Sequence, residues 1–282
     1  MDLSATRVKS YELHDADFEK ISRFVYDLCG INLHDGKREL VKARLNKRLK
    51  EGNFTSFSEY LRHVTTQEGT EELTAMIDSL STNLTSFFRE ESHFHALREI
   101  VAARVKAGPL LRGGVRLKLW SAGCSTGEEP YTMAMVLHSV LQGCRSDVKI
   151  LATDISTKVL KQAVAGVYQE KGIARIPQAM LRAYFQQGTG KWKGQYRAKD
   201  VLRQMIHFAR FNLKDPISFN EGFDIIFCRN VMIYFDKETQ RVLINRFYDC
   251  LKDGGYLFVG HSESLTGLAH RFRYIEPSVY RK

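Results

Sequence analysis

The stretch Leu117 to Met133, LKLWSAGCSTGEEPYTM, constrains the fold of this chain more than any other, because it changes periodicity twice within seventeen residues. Val115, Leu117 and Leu119 alternate with Arg116 and Lys118 and lead into Trp120, a short extended run suited to a buried strand. Gly123, Ser125 and Gly127 follow at alternate positions, small residues that let a backbone turn sharply and let a ligand lie against the main chain. From Glu128 the spacing becomes helical through Tyr131, Ala134, Met135 and His138, and Pro130 is tolerated in a first turn, where no helical donor is needed. Strand, tight turn and helix are the opening unit of an open α/β sheet.

A glycine-rich turn after a strand suits a dinucleotide, a mononucleotide or simple packing. The next strand narrows the choice. Val148 to Thr153 is a second apolar run, and it ends in Asp154, 27 residues beyond Gly127. A carboxylate at the end of the second strand is where ribose hydroxyls are held in nucleoside-binding α/β folds. Glu128 and Glu129 at the helix entrance would repel a pyrophosphate, so the turn favours a nucleoside that carries a cation and no phosphate, which describes S-adenosylmethionine. Which of the two glutamates faces the cofactor stays open, since adjacent helical residues point in different directions.

At 282 residues the chain can hold one large or two smaller domains with real cores. No apolar run reaches the length of a membrane span and the polar start lacks a signal-peptide core, so a cytoplasmic protein is expected. Five cysteines, odd in number and without a CxxC pair, suit free thiols better than disulfides or zinc. The net charge of +10 lies downstream: residues 1 to 80 hold 12 basic and 14 acidic side chains, whereas 171 to 215 hold ten Lys or Arg against Asp200 and Asp215. Such a patch suits nucleic acid, an acidic protein tail or a membrane surface.

In chain order, residues 1–80 read as a small helical domain. Phe18, Ile21, Phe24, Val25 and Leu28 share one helical face that Gly30 ends, and Asp35-Gly36 open a second helix with Leu40, Val41, Leu45 and Leu49 on its buried side. Its other side carries Lys37, Arg38, Lys42, Arg44, Lys47, Arg48 and Lys50, either a solvated face or a docking surface for an acidic partner. Two further helices follow, around 56–63 and 71–80. STNLTSFFRE, from Ser81 to Glu90, breaks the pattern: it is either a capped helix start or a connector that carries Asn83, Thr85 and Arg89 over a cofactor site. A helix then runs to Gly108-Pro109 within a linker spanning 81–112, and Arg112-Gly113-Gly114 marks entry to a nucleotide-binding domain at 113–282.

Ser156 caps the helix after Asp154. Residues 168–205 do not fit a simple crossover and read as an insertion, first helical, then a small antiparallel hairpin set around Gly188 to Phe208. Its basic side chains and free edge suit pairing with an extended peptide; a nucleic-acid platform is the rival. Ile206 to Phe211 is expected as a core strand ending at Asn212-Leu213, and Phe223 to Cys228 as another. Asn230 then sits past the strand's carboxyl end, where open α/β sheets place ligands. Gln240 to Leu251 reads as a helix ended by Gly254-Gly255, Tyr256 to Gly260 as a strand, and Phe272 to Tyr280 as a closing antiparallel pair. Amino methyltransferases of nucleic acid bases usually carry paired prolines and an aromatic after the acid or Asn, and Asn230-Val231-Met232 departs from that. Cys228, followed by Arg229 inside an apolar run, reads as core rather than as a nucleophile.

The blocks SAGCSTGEEPYT, TNLTSFFRE, ATDIS and FCRNVMIYFD, in that order, resemble the CheR-type chemotaxis receptor methyltransferases, and the similarity runs from about residue 12 to the end. The resemblance implies an α/β fold: a class I S-adenosylmethionine-dependent methyltransferase (Rossmann-like) domain with an inserted antiparallel β-subdomain, preceded by a small all-α domain. It implies methyl transfer from S-adenosylmethionine to glutamate side chains of membrane chemoreceptors, leaving S-adenosylhomocysteine. By position it assigns cofactor contacts to Asn83, Thr85, Arg89, Glu129, Asp154, Asn212, Leu213, Asn230 and Val231, beside the turn glycine Gly123, and puts Arg89 and Tyr234 nearest the transferred methyl.

The implied partner is the cytoplasmic part of a chemoreceptor, held along the cationic helix by Lys37, Arg38, Lys42, Arg44, Lys47 and Arg48 and, in some family members, through a C-terminal tail on the inserted sheet. No metal, nucleic acid or membrane insertion is expected, and His93, His95 and His261 are read as structural or surface residues. The competing readings are a nucleic acid methyltransferase and a cofactor-sensing module without turnover.

Overall fold

The computed structural model describes residues 11–107, 114–217, 219 and 221–282. The chain forms two compact units that part between Thr82 and Asn83. Among the described residues no helix is long and apolar enough to cross a membrane.

The first unit is helical: α1 (Asp15–Cys29), α2 (Arg38–Glu51), α3 (Phe57–Val64) and α4 (Thr70–Leu80). In α1, Phe18, Ile21, Val25 and Cys29 form the buried stripe, and the helix stops where Gly30 takes the left-handed conformation and donates its N–H to Tyr26 O. In α2 the stripe is Val41, Leu45 and Leu49, spaced four apart; Leu40, expected to be buried, lies off that line and is 38% exposed. Ser56 caps α3 through Glu59 N–H.

Several cations of α2 serve the unit itself. Arg48 forks onto the Glu72 carboxylate at 2.9 and 2.5 Å and also pairs with Glu51. Arg44 Nη1 donates to the carbonyls of Leu80 and Ser81 at 2.8 and 3.1 Å, satisfying the end of α4. Arg38 pairs with Asp15 and donates to Leu13 O. Lys47 and Lys50 are exposed and Lys42 is half-buried.

The described residues of the second unit form ten strands, β1 (Val115–Ala122), β2 (Ser146–Asp154), β3 (Val167–Gln169), β4 (Phe185–Gln187), β5 (Gln195–Ala198), β6 (Ile206–Arg210), β7 (Phe223–Cys228), β8 (Leu251–Val259), β9 (Arg273–Glu276) and β10 (Val279–Arg281). Its helices are α5 (Ser92–Lys106), α6 (Glu128–Val140), α7 (Thr157–Ala165), α8 (Gln178–Tyr184), α9 (Asp200–Arg203) and α10 (Lys237–Cys250). Seven strands make a mixed sheet in the order β6-β2-β1-β7-β8-β10-β9, with β10 antiparallel to both its neighbours, β8 and β9, and the remaining pairs parallel. The inner strands are apolar on both faces because both faces are covered. Ile225 and Phe227 of β7 join a core with Phe94, Leu97 and Val101 of α5 and most of α6, while Ile226 and Cys228 join an opposite core with Leu243, Ile244 and Phe247 of α10. Trp120, fully buried, satisfies its indole N–H on Thr153 Oγ1 at 2.9 Å. Each such large side chain contributes about 1.5–3 kcal/mol by burial.

The structure corrects several expectations. Ile206–Arg210 is a strand, but it lies at the edge of the sheet and is only half-buried, since β2 covers it on one side alone. In the insertion a strand precedes the helix: β3, β5 and β4 form a three-stranded antiparallel sheet, and Asp200–Arg203, expected in the hairpins, is helical. Gly254-Gly255 lies inside β8, because α10 runs into that strand without a loop. Asn83 and Thr85 do not cap a helix: α5 begins only at Ser92. Gly108-Pro109 and Arg112-Gly113 lie outside the described residues.

Candidate functional site

The parallel register carries the ends of β1, β2 and β7 to one edge of the sheet. Leaving β1, the chain puts Gly123, Ser125 and Gly127 at φ of +87°, +49° and +97°. The amides of Gly123 and Cys124 donate to Thr153 O at 2.8 Å each, which fastens the turn to the end of β2. Gly123 has no room for a side chain: an added Cβ would stand 2.3 Å from Val231 Cγ2. Ser125 bears the strain of a left-handed non-glycine residue. It is held by donating its N–H to Asp154 Oδ2 at 2.8 Å and its hydroxyl to Asn83 O at 2.9 Å.

Asp154 is buried, and its other oxygen accepts Ser156 N–H at 2.9 Å. Its carbonyl accepts Phe211 N–H at 3.0 Å, so Asn212 and Leu213 follow directly alongside. Asn212 closes its own turn by accepting Lys214 N–H. Thr85 is half-buried in the segment between Asn83 and Arg89.

The two glutamates at the head of α6 have different surroundings. Glu128 accepts the hydroxyl of Thr126 at 2.6 Å. Glu129 accepts Ser121 Oγ at 2.7 Å and pairs with Arg229 Nη1 at 3.0 Å. Burial pushes both carboxyls up; for Glu129, Arg229 and Ser121 oppose it.

Arg229 is the hub of the site, its side chain 2% exposed. Besides Glu129 it binds Glu90 Oε2 at 3.1 Å and the carbonyl of Arg89, and it lies over the rings of Phe94 and Phe227. Glu90 also accepts Asn230 Nδ2 at 3.3 Å and His261 N–H at 3.2 Å. Burial would raise the Glu90 carboxyl, but Arg229 and Asn230 outweigh it and hold the group below its usual range. Asn230 is left-handed, φ +58°, a conformation Asn tolerates better than most residues. Tyr234 closes a short 3₁₀ turn, Met232–Tyr234, its N–H on Val231 O. Arg89 Nη1 is anchored on Leu84 O at 2.8 Å.

Thus Asn83, Gly123 and Asp154 meet through Ser125; Arg89, Glu129 and Asn230 meet through Arg229 and Glu90; and Val231 presses on Gly123. The sequence marks Ser125 only as a small residue of the turn, and it gives Glu90, Arg229 and Glu263 no place in the site. One signal was readable: Arg229 follows the strand FDIIFC, apolar apart from Asp224, and a cation buried there must find partners. Cys228 is core, as expected, and burial raises its thiol well above the usual range.

The donor set suits S-adenosylmethionine. Glu90, Glu128, Glu129 and Asp154 gather around Arg229 and the turn, an excess of carboxylate that accommodates a cationic nucleoside and repels phosphate. Gly123, without a side chain, lets the turn pack directly on Val231, which brings the segment after β7 against the turn.

Residues 83–281 match the CheR methyltransferase SAM binding domain, and residues 16–81 match the CheR methyltransferase all-alpha domain. The chain is 41% identical to the chemotaxis protein methyltransferase of Escherichia coli, over 95% of this chain and 91% of that one. It is 39% identical to that of Borreliella burgdorferi, over 94% of each, and 39% identical to chemotaxis protein methyltransferase 2 of Pseudomonas aeruginosa, over 94% and 92%. With the sheet, the helical unit and the carboxylate-rich site all in place, the chain belongs to the CheR family of S-adenosylmethionine-dependent chemotaxis protein methyltransferases.

Proposed function

We propose that the protein esterifies glutamate side chains of methyl-accepting chemoreceptors in the cytoplasm, with Asp154 on the cofactor's ribose, Glu129 on its cationic amino acid end, and Asn83, Thr85, Gly123, Asn212, Leu213, Asn230 and Val231 around the nucleoside. The observation that carries this is the position of Asp154. A buried carboxylate at the end of β2, fastened to the glycine-rich turn through Ser125, stands where nucleoside-binding α/β folds hold ribose hydroxyls. Glu129 is preferred over Glu128 because it shares Arg229 with Glu90 and reaches the end of β1 through Ser121.

Bound S-adenosylmethionine supplies a methyl group on a sulfonium, already activated for displacement. A glutamate carboxylate is ionised at neutral pH and is itself the nucleophile, so the chain's residues need supply no general base, metal or covalent nucleophile. Arg89 and Tyr234 align the carboxylate. Among the described residues Arg89 Nη2 has no protein partner, which leaves part of its donor fork for the substrate. Its grip must stay loose, because the carboxylate's charge disappears in the transition state. Exclusion of water by the buried walls of the site favours a step that neutralises charge.

For the receptor, the exposed Lys47 and Lys50 and the half-buried Lys42 of α2 offer positive charge, and Lys37 stands just ahead of the helix, while Arg38, Arg44 and Arg48 hold the helical unit together. A receptor tail would add to an outer strand of the β3-β5-β4 sheet, whose edges are β3 and β4. Mass spectrometry of a chemoreceptor fragment after incubation with the protein and S-adenosylmethionine tests the reading: a glutamyl methyl ester is expected, and methyl groups on RNA alone would refute it.

A further inference from the structure

We propose that Glu90, His93 and His261 form a binding site for one divalent transition-metal ion of the zinc class. Glu90 lies in the turn before α5, His93 lies in the first turn of that helix, and His261 follows β8; one ligand atom from each lies within 4.8 Å of the others. His93 makes the cluster more than an accident of neighbours. Its ring is 1% exposed, yet neither nitrogen has a hydrogen-bond partner. An imidazole that has left water without replacing its hydrogen bonds is costly, and such a group in a native fold needs an explanation.

Two imidazole nitrogens and one carboxylate oxygen are the donor set zinc takes when a fourth position stays open. Donors about 2 Å from one tetrahedral ion stand roughly 3.4 Å apart, and His93 Nδ1 lies 3.5 Å from Glu90 Oε2. His261 supplies the third donor, with a ligand atom within 4.8 Å of the other two. It is exposed, so it has the freedom to move and gives the ion an entry path, and its Nε2 lies 3.3 Å from Ser92 Oγ, a contact able to orient the ring. The buried ring of His93 rests edge-on against Phe258 and His261, which fixes its plane.

One feature opposes the ion: Arg229 already binds Glu90 Oε2 at 3.1 Å. The ion therefore competes with a guanidinium for that oxygen, which limits affinity. It also means that occupancy draws Glu90 away from Arg229 and Asn230 and loosens one wall of the methyl-transfer site.

Calorimetric titration of the chelator-treated, metal-free chain with zinc chloride, and with cobalt chloride followed by visible absorption, tests the site. One ion per chain is expected, with a cobalt spectrum of tetrahedral intensity. His261→Ala and Glu90→Gln each weaken binding at least about tenfold. His93→Gln does the same where circular dichroism shows it folded, but His261→Ala, at an exposed residue, decides. His95→Ala serves as control, because His95 and Glu91 are a 3.5 Å surface pair without a third donor. No bound ion, full affinity in His261→Ala, or loss of binding in His95→Ala overturns the proposal.

Discussion

Glu263 accepts the backbone N–H of Asn230 at 2.8 Å, and so holds the start of the segment that carries Val231 and Tyr234. The same oxygen accepts Gly260 N–H at 2.7 Å and its partner accepts Ile233 N–H at 3.1 Å, all on a carboxylate that is 6% exposed. Glu263→Ala leaves these donors without an acceptor, at about 1–3 kcal/mol for each that stays buried. Thermal unfolding should shift downward. Calorimetry with S-adenosylhomocysteine should show weaker binding even in the folded fraction, because Asn230 loses its left-handed anchor.

Arg229→Lys keeps the charge and cannot fork between Glu90, Glu129 and Arg89 O at once. A fall in kcat/KM of at least about tenfold is expected, and Arg229→Met should in addition destabilise by about 3–5 kcal/mol, since two acids lose their cation. Kinetics and denaturant melts of the pair separate the two effects.

Asp154→Asn replaces an acceptor of two backbone amides by a group with one acceptor oxygen and an N–H₂ that opposes them. Binding of S-adenosylhomocysteine should weaken by more than about tenfold, equivalent to at least 1.4 kcal/mol. Asp215→Asn, at an exposed site nearby, should bind normally.

The cations of α2 can be sorted experimentally. Lys42→Glu with Lys47→Glu should raise the KM for receptor without changing the melting temperature or the affinity for cofactor. Arg48→Glu should lower the melting temperature, because it sets a second carboxylate against Glu72 in a partly buried site. Equal receptor KM values for the lysine double variant and the unmodified chain would remove the docking role.

Asp224 provides a pH test away from the site. Burial opposes its ionisation, but Lys118 N–H, Lys252 and Arg104 prevail and hold the carboxyl below its ordinary value of 3.8. Its folded-state pKa is depressed, so the stabilisation is present above 3.8 and is lost as pH falls through the folded value. Asp224→Asn should cost about 2–3 kcal/mol at pH 7 by urea unfolding. The difference from the unmodified chain should shrink as the pH is taken below 3.8.

What the order of residues determined by itself is local and chemical. The switch from alternation to helical spacing at Glu128 set the strand, turn and helix; alternate small residues set the left-handed turn; Ser156 set the cap of α7; and the apolar run before Asp154 set the end of β2. These depend on neighbours a few positions apart, so periodicity carries them. The β-subdomain was partly legible, its strands too short for alternation to show that β3 precedes α8.

Only the tertiary structure decided that Arg229, 100 residues from Glu129 and 139 from Glu90, is the cation between them. It alone decided that Glu263 is the template for the Asn230 segment, and that Arg44 and Arg48 belong to the helical unit's own bonding. The reason is physical. A charged side chain announces that it needs a partner if buried, but which partner it finds is set by the parallel register of β1, β2 and β7 and by the packing of α5, and sequence spacing does not encode those distances.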